Sequence, residues 1–400
     1  MQPLAMPPLA ITAMTIVSSL GHGLDVTLAA LRDRRSGLAP CRFETVDLPI
    51  HVGEAAGVED APLPPGLAGF DCRNNRLARL ALAQDGFEAA IEAAKSRYGA
   101  SRIGVFLGTS TSGILHVEQA YRLRSPEGAL LTPFNYAGTQ SIFSIADFVL
   151  HALDLSGPSL VISSACSSTT KVFATAARMI QAGLCDAAIV GGADSLCLTT
   201  LYGFNALQLL GPDPCRPFDA DRQGLSIGEG AGFALLERPE AAPSHDLHLI
   251  SVGESSDAHH MSAPRPDGAG AMMAMSRALE AGGLRPEDID YINLHGTATR
   301  IGDAAEDKAV VSLFGSETAC NSTKGYTGHA LGASGSLEAI IAALSIRHGL
   351  IPGSPHTNAR DPDLNTHYII DPQPARLRYV LSNSFGFGGT NASLILGQAA

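Results

Sequence analysis

Charged side chains are scarce in this chain of 400 residues. They make up 16% of the sequence, while apolar residues make up 45%, and an average soluble protein has about 25% charged residues. So little charge indicates a large core together with a sizeable subunit interface. The same composition excludes an intrinsically disordered chain, because disorder goes with few apolar residues and a high net charge.

An excess of basic residues is also missing. The 27 Lys and Arg are outnumbered by 39 Asp and Glu, which gives a net charge of −12. Nucleic-acid-binding surfaces are usually basic, so we expect no nucleic-acid partner. Residues 1–23 lack the Lys or Arg of a signal peptide, and no apolar run reaches the roughly 18 residues of a membrane span. We therefore expect a cytoplasmic protein without membrane insertion.

Spacings typical of metal, disulfide or nucleotide sites are absent. The seven cysteines are odd in number and include no CxxC pair, which argues against a disulfide framework or a zinc knuckle. The sequence has no HExxH, no GxxxxGK[ST], and no GxGxxG with an acidic partner. We therefore predict reduced thiols, no metal and no bound nucleotide.

What the sequence does contain is an alternation of strand and helix patterns. Residues 169–182 have apolar side chains at helical spacing and stop at Gly183, a residue favoured just past a helix end. Residues 335–347 predict a second such helix. Strands alternating with helices predict an α/β fold with mostly buried sheets. The predicted strands, which are short β-branched apolar runs, are 103–107, 159–163, 188–190, 291–294 and 379–381.

A short internal repeat of sequence motifs indicates two similar halves. One strand runs into Gly-Thr-Ser-Thr at 108–111, and another runs into Gly-Thr-Ala-Thr at 296–299. Later strands run into Ser163-Ser-Ala-Cys166 and into Ser382-Asn-Ser384. The stretch 239–246 is the only polar, proline-bearing joint near the middle of the chain.

Cys166 is the first candidate for chemistry. It sits between a predicted strand and a predicted apolar helix, so its sulfur is expected at a helix N-terminus. Unpaired N–H groups and the positive end of the helix dipole favour a thiolate there. A small buried residue is the alternative for any single cysteine, and it is the interpretation retained for the other six.

Two histidines and a glycine-rich turn are the other candidates. His295 follows a predicted strand, and His329 lies in a Gly-rich loop that opens a helix. Either histidine alone is more often structural. The run Phe385-Gly-Phe-Gly-Gly389 embeds two aromatic rings in glycines, which is typical either of a turn that approaches a ligand or of an ordinary glycine turn.

Taken in order, these motifs resemble those of one enzyme family. They are similar to the motifs of the elongating β-ketoacyl-acyl carrier protein synthases (types I and II), and the resemblance runs from Ile11 to Asn391. Several ordered motifs are far more specific than any one of them. The motifs are Ser163-Ser-Ala-Cys-Ser-Ser168, Arg216-Pro-Phe-Asp219, Gly228-Glu-Gly-Ala-Gly232, Asp257-Ala-His-His-Met-Ser-Ala-Pro264, His295-Gly-Thr-Ala-Thr299, Thr323-Lys-Gly-Tyr-Thr-Gly-His329 and Asn383-Ser-Phe-Gly-Phe-Gly-Gly-Thr-Asn391.

The resemblance implies a thiolase-like α/β fold, a five-layer αβαβα sandwich made of two similar halves. The N-terminal half, 1–240, would carry the nucleophile Cys166. The C-terminal half, 247–400, would carry His295, His329 and the Phe385–Gly389 loop. The resemblance also implies a dimer, formed either by two identical chains or by this chain and a homologous subunit.

The resemblance further implies the site and the reaction. An acyl group held on Cys166 would undergo decarboxylative Claisen condensation with malonyl-carrier, with no cofactor beyond the phosphopantetheine arm of acyl carrier protein. The implied roles are Cys166, His295, His329 and Lys324 as catalytic residues; Glu306 and Phe385 as supporting residues; Thr297 and Thr299 as contacts of the pantetheine; the backbone of Cys166 and Phe387 as oxyanion donors; and Phe387 as a gate.

Two other functions stay open on the sequence. A degradative thiolase shares the fold but needs a second catalytic cysteine in a C-terminal CxGG turn, where this chain has Phe385-Gly-Phe-Gly-Gly389. A non-catalytic partner subunit would shape the pocket of a true synthase. The pathway is open as well, because the Gly-Tyr after Lys324 resembles synthases of pigment and polyene clusters more than housekeeping enzymes.

Docking of an acidic carrier protein requires a local basic patch, because this chain is itself acidic. Arg73, Arg76 and Arg79 are spaced i, i+3 and i+6, so they share one face if that stretch is helical. Arg122 and Arg124 form a second small cluster. We predict that these five arginines dock the carrier. The resemblance implies basic docking residues in comparable places, and Arg73 and Arg76 match them best. A solvated helix face with intrachain ion pairs is the alternative.

Overall fold

The computed structural model describes residues 6–130, 134–243 and 245–398. All five predicted strands and both predicted helices are present. The strands are β1 Leu9–Ser18, β2 Gly21–His22, β3 Ala39–Pro40, β4 His51–Gly53, β5 Ile103–Gly108, β6 Ser159–Ile162, β7 Ala187–Asp194, β8 Ile227–Gly228, β9 Gly230–Glu237, β10 Leu247–Ser256, β11 Tyr291–Asn293, β12 Ala319–Asn321, β13 Leu350–Ile351, β14 His367–Tyr368, β15 Gln373–Pro374, β16 Tyr379–Gly386 and β17 Thr390–Gln398.

The helices fill the connections between these strands. Within the described part of the chain none of them is long and apolar enough to cross a membrane. They are α1 Leu24–Arg32, α2 Arg73–Leu82, α3 Phe87–Tyr98, α4 Ile114–Arg122, α5 Ser144–Ala152, α6 Ser168–Gln181, α7 Leu198–Ala206, α8 Ala269–Gly282, α9 Arg300–Phe314, α10 Lys324–Thr327 and α11 Ser334–His348.

The main strands form two sheets with the same strand order. The first runs β1-β9-β7-β5-β6 and the second β10-β17-β16-β11-β12, with β14 added at its edge. In each sheet the first two pairings are antiparallel and the next two are parallel. The sheets join where Leu9 and Ala10 of β1 pair with Leu249 and His248 of β10. The repeated order confirms two similar α/β halves.

Two pairs of motifs were predicted to be equivalent in the two halves, and the strand order supports the first pair and corrects the second. The Gly-Thr motifs at 108 and 296 begin at or just beyond the ends of β5 and β11, which occupy the same place in the two sheets. The second pairing was wrong, because Ser382–Ser384 lie inside β16, whereas Cys166 follows β6. The counterpart of β6 in the second sheet is β12.

Alternating side chains divide the core into layers. On β5, Val105 and Leu107 pack on the outer side against α2 and α5, while Phe106 packs on the inner side. Helices α8 and α9 cover the outer face of the second sheet. Helices α6 and α11 lie between the sheets and contact each other as well as strands of both. This is the αβαβα arrangement that the resemblance implies.

The inner helix α11 is enclosed on all sides. Every residue from Ser334 to Ile346 is buried, as expected of a helix with sheets and helices around it rather than a solvated face. The loops before α6 and before α11 therefore meet inside the molecule, and Cys166 and His329 lie on these two loops.

Arg73 is buried where α2 meets the strand β9, and this corrects its assignment to carrier docking. Its side chain is 4% exposed and its guanidinium binds the fully buried carboxylate of Glu229, with Nε to Oε2 at 2.8 Å. Glu59 and Glu54 bind the other guanidinium nitrogens. An arginine surrounded by three carboxylates holds the fold together and offers no free charge to a partner.

Replacing Arg73 by Met is expected to destabilise the protein strongly. The change leaves the Glu229 carboxylate buried without its cation, which typically costs about 3–5 kcal/mol. Arg79→Met is the matched control, because its pair with Glu88 is partly exposed and such pairs are worth at most about 1 kcal/mol. Thermal unfolding of the two variants and of the native protein measures the loss of stability that each change causes. Equal melting temperatures for the two variants would contradict the structural role of Arg73.

Candidate active site

Cys166 sits on a tight turn between β6 and α6. The residue before it, Ala165, has φ of 51°, a left-handed conformation that is strained for alanine. The serines around Cys166 hold this turn, since Ser168 Oγ donates to Ala165 O at 2.6 Å and accepts from Ser164 N at 2.9 Å. The motif therefore fixes the position of the sulfur.

The sulfur of Cys166 is enclosed, and this changes the protonation expected from the sequence. Its side chain is almost fully buried, and burial raises the pKa of the thiol to about 11. The charge of Lys324 and the backbone N–H groups of Phe387 and Cys166 lower this pKa but do not outweigh burial. The resting group is therefore a thiol, whereas the helix N-terminus alone predicted a thiolate.

His329 contacts the sulfur directly. Its Nε2 lies 3.0 Å from Cys166 Sγ, and its Nδ1 lies 2.8 Å from Ser334 Oγ. The backbone of His329 is held on both sides, because its N–H donates to Ser226 O at 2.7 Å and its carbonyl accepts from Gly228 N at 2.9 Å. The ring thus stands at a fixed distance from the cysteine.

His295 completes the group at the end of β11. Its ring is perpendicular to that of His329, with centroids 5.3 Å apart and an interplanar angle of 85°. The pKa of each histidine is well below its usual value, first because of burial and then because of the charge of Lys324. Both imidazoles are therefore neutral at physiological pH and can donate one N–H each.

Lys324 is fully buried and fixes the protonation of His295. Its ammonium pairs with Glu338 and lies 3.5 Å from His295 Nδ1. An ammonium only donates hydrogen bonds, so Nδ1 of His295 is the acceptor and the hydrogen is on Nε2. Burial raises the pKa of Glu338 to about 7, with Lys324 acting in the opposite direction.

Glu306 holds the loop that carries His295. Its carboxylate accepts the N–H groups of His295 and Gly296 at 2.8 Å each, and the amide of Asn383 at 3.0 Å. Asn383 in turn accepts from Ser393 Oγ at 2.7 Å. Glu306 therefore ties α9 to the end of β11 and to the middle of β16, and it acts on the site through His295.

A cavity of about 480 Å³ leads from the surface to this group. Thr297 and Thr299 line it, with their hydroxyl oxygens 3.0 Å apart. At its inner end Phe387 stacks on Phe204, with ring centroids 5.4 Å apart, and Phe385 lies 5.9 Å from the ring of His295. The structure thus gathers the predicted catalytic, pantetheine, gating and supporting residues around one channel, which Glu306 lines, while Lys324 lies behind His295.

The remaining predicted docking arginines lie elsewhere or are paired. Asp71 and Glu59 bind Arg76, Glu88 binds Arg79, and Glu44 lies 3.5 Å from Arg122. Arg124 lies over the ring of Tyr121, 5.4 Å from its centroid. None of these arginines lines the channel.

Three arginines that line the channel were not predicted from the sequence, and one of them, Arg222, is buried and paired with Asp303 and Asp361. Arg265 is exposed and pairs with Asp267. Arg300 is exposed beside Ile301, which is 62% exposed, and Arg300 has no ion pair with any described residue. No motif marks it as a docking residue, because it is simply the residue that follows His295-Gly-Thr-Ala-Thr299.

Two further buried residues were also missed. Asp194, at the end of β7, accepts from Thr109 and Thr111 Oγ1 at 2.8 Å each and from Ala333 N at 3.1 Å. It thereby joins the loop after β5 to the turn after His329. Ser334, the partner of His329, is one of many small residues in its glycine-rich loop, so the sequence carries no signal that separates it.

The donor atoms of Cys166, His295 and His329 all lie within 4.8 Å of one another. That spacing would also suit a metal ion. The sequence predicted no metal here, and the reaction proposed below uses the three side chains as nucleophile and hydrogen-bond donors.

Comparisons with known proteins agree with this geometry. Residues 6–242 match the family described as beta-ketoacyl synthase, N-terminal domain, and residues 248–358 match beta-ketoacyl synthase, C-terminal domain. The 3-oxoacyl-[acyl-carrier-protein] synthase 2 of Vibrio cholerae is 33% identical, over 96% of this chain and 97% of its own length.

Solved structures show the same similarity. A chain of the complex between the ketosynthase ApeO and its chain length factor ApeC from Xenorhabdus doucetiae superimposes with a TM-score of 0.89 at 36% identity, over 98% of both chains. The ishigamide ketosynthase/chain length factor gives a TM-score of 0.89 at 28% identity, over 99% of this chain and 100% of the other. This chain therefore belongs to the β-ketoacyl synthases, acyltransferases that elongate fatty-acid and polyketide chains.

Proposed function

We propose that this enzyme joins an acyl group held on Cys166 to malonyl-carrier, with His295 and His329 as neutral hydrogen-bond donors. The contact of 3.0 Å between His329 Nε2 and Cys166 Sγ carries the proposal. It puts a hydrogen-bond donor beside the one sulfur atom that lines the channel among the residues that the structure describes. The substrates arrive on the phosphopantetheine arm of acyl carrier protein, and no further cofactor takes part in the proposed steps. We propose the cytoplasm as the location.

In the first step the sulfur of Cys166 attacks the thioester carbonyl of the acyl carrier. A new carbon–sulfur bond forms, the bond to the pantetheine sulfur breaks, and the proton of the thiol passes to that leaving sulfur. The tetrahedral oxyanion requires fixed donors, and the backbone N–H groups of Cys166 and Phe387, which already favour a thiolate, are placed to supply them.

In the second step malonyl-carrier loses carbon dioxide, and an enolate forms on the thioester oxygen. Two neutral N–H donors facing that oxygen stabilise the charge most where water is excluded. The enolate carbon then attacks the acyl-Cys166 carbonyl, and the bond to the Cys166 sulfur breaks. A 3-oxoacyl-carrier leaves, and the Cys166 thiolate takes up a proton from solvent, because the original thiol proton left with the pantetheine sulfur in the first step.

Phe387 is proposed as a gate between the malonyl site and the acyl site. Its ring packs on Phe204 at the inner end of the channel. The next residue, Gly388, has φ of 79° and open space around the position of a Cβ. A glycine there allows the loop to change conformation without a steric penalty, so the ring can swing when an acyl group occupies Cys166.

For the assembly, we propose a dimer with a homologous subunit rather than with an identical chain. ApeO and the ishigamide ketosynthase are each described together with a chain length factor. The described surface offers an apolar face between β5 and α5, where Tyr121, Leu123, Tyr136, Ile142 and Phe143 are exposed. We retain 1–240 and 247–400 as the proposed division into halves.

Each alternative function conflicts with the residues that the chain contains. A thiolase requires a second catalytic cysteine beside the first, but no cysteine follows Cys320, which is fully buried in β12. A non-catalytic partner subunit has no need for a nucleophile, whereas here Cys166 and both histidines are in contact.

Replacement of Cys166, His295 or His329, which together form the proposed catalytic triad, is expected to separate the two steps. Cys166→Ala should abolish acyl-enzyme formation and condensation but keep malonyl decarboxylation, because the histidines remain. His295→Ala and His329→Ala should lower decarboxylation by about 10²-fold or more, the usual effect of losing one such donor. Mass spectrometry of the acyl-enzyme and release of carbon dioxide measure the two steps, with Cys185→Ala as control. Condensation by Cys166→Ala would refute the nucleophile.

The resting thiol makes a prediction about pH. Because burial raises the pKa of Cys166 to about 11, only a small fraction is thiolate at neutral pH. Alkylation of Cys166 by iodoacetamide should therefore rise about tenfold per pH unit from pH 7 to 10, with Cys166→Ala giving the background. A plateau below pH 8 would instead show the resting thiolate that the helix N-terminus predicted.

Carrier docking is proposed at the mouth of the channel, around Arg300 and Ile301, with Arg76, Arg79, Arg122 and Arg124 as outer contacts. Arg300→Glu should raise the KM for carrier-bound substrates, because Arg300 has no ion-pair partner among the described residues and its charge is available to an acidic carrier. The KM of the variant should also depend less on salt concentration, because electrostatic steering is screened over about 8 Å at physiological salt. Arg76→Glu should act in the same direction but less. Activity with a short pantetheine thioester should stay the same. Equal loss with both substrates would rule out docking for that residue.

A further inference from the structure

The ring of His329 has a polar contact on each side. Nε2 lies 3.0 Å from Cys166 Sγ and Nδ1 lies 2.8 Å from Ser334 Oγ. The ring is 1% exposed, and no other hydrogen bond of its side chain occurs among the described residues. Whatever determines which nitrogen carries the hydrogen must therefore act through Cys166 or through Ser334.

Only one of the two nitrogens can carry a hydrogen. Burial and the neighbouring ammonium of Lys324 keep His329 neutral, and a neutral imidazole has one donor and one acceptor. In the proposed function, on which this inference rests, Nε2 faces the reacting atoms and must be the donor. Nδ1 must then be the acceptor, and it needs a donor of its own.

Ser334 is the group that can supply that donor. It is the first residue of α11 and is buried, so its position is set by the helix. Its hydroxyl has no other hydrogen-bond partner among the described residues, so nothing else fixes the direction of its O–H. His295 has the same arrangement with a different donor, since Lys324 Nζ faces its Nδ1 at 3.5 Å.

We propose that Ser334 is a positioning residue, whose hydroxyl donates to Nδ1 of His329 and thereby holds the hydrogen on Nε2, toward the enolate. The opposite direction has a different consequence. If Nδ1–H donated to Ser334, a bare Nε2 would face the sulfur and His329 would serve as a base for Cys166 rather than as a donor to the enolate.

The variant Ser334→Ala distinguishes the two possible directions of the hydrogen bond between Ser334 and His329. In a Cys166→Ala background, Ser334→Ala should lower the decarboxylation of malonyl-carrier about tenfold, the size expected for one neutral hydrogen bond. With Cys166 intact, the rate at which an acyl carrier acylates the cysteine should change less than twofold. Ser334→Thr, which keeps the hydroxyl, should restore decarboxylation.

The matched control is Ser336→Ala, two residues further along the same buried helix. The hydroxyl of Ser336 donates to Ala333 O at 2.9 Å and does not contact His329. This variant removes a buried hydroxyl from the same turn, so it should leave both rates unchanged. A loss of decarboxylation in Ser336→Ala equal to that in Ser334→Ala would reduce Ser334 to a structural role and overturn the proposal.

A spectroscopic measurement gives a readout that does not depend on activity. The ¹⁵N chemical shifts of labelled His329 should report a hydrogen on Nε2 in the native chain, and Ser334→Ala should shift the population toward Nδ1–H. Native shifts with the hydrogen on Nδ1, or slower acylation with unchanged decarboxylation in Ser334→Ala, would overturn the proposal. A native chain with the expected shifts but no decarboxylation would contradict the proposed function alone.

Discussion

The packing of α6 against α11 is the constraint on which the active site depends. The two helices lie back to back between the sheets, and each begins a few residues after one member of the triad, Cys166 before α6 and His329 before α11. The nucleophile and its neighbour come from different halves and are 163 residues apart. They meet because the inner layer of the sandwich brings two loop ends to one point.

The same packing determines the charges at the site. Burial disfavours every ionised form, so the thiol of Cys166 stays protonated and both imidazoles stay neutral. The ammonium of Lys324 is kept in this environment by its pair with Glu338. The proposed reaction therefore relies on fixed N–H donors rather than on resting charges, because its own charge appears only on the enolate and on the oxyanion.

Local patterns in the sequence were enough to predict five of the strands and both inner helices. Motifs in a fixed order implied Cys166, His295 and His329, which the structure brings together. What they could not predict depends on contacts that are distant in sequence. Arg73 appeared to lie on a basic helix face, but its partner Glu229 is 156 residues away. The helix N-terminus predicted a thiolate at Cys166, because the local pattern contains no information on how deeply the sulfur is buried.

The two histidines receive different donors at Nδ1, and the charge at the site explains the difference. Lys324 serves His295, and its charge is already matched by Glu338. A second cation behind His329 would have no free carboxylate and would be costly to bury. The hydroxyl of Ser334 supplies the same hydrogen bond without adding a charge. One lysine and one serine can thus orient both rings with one buried cation instead of two.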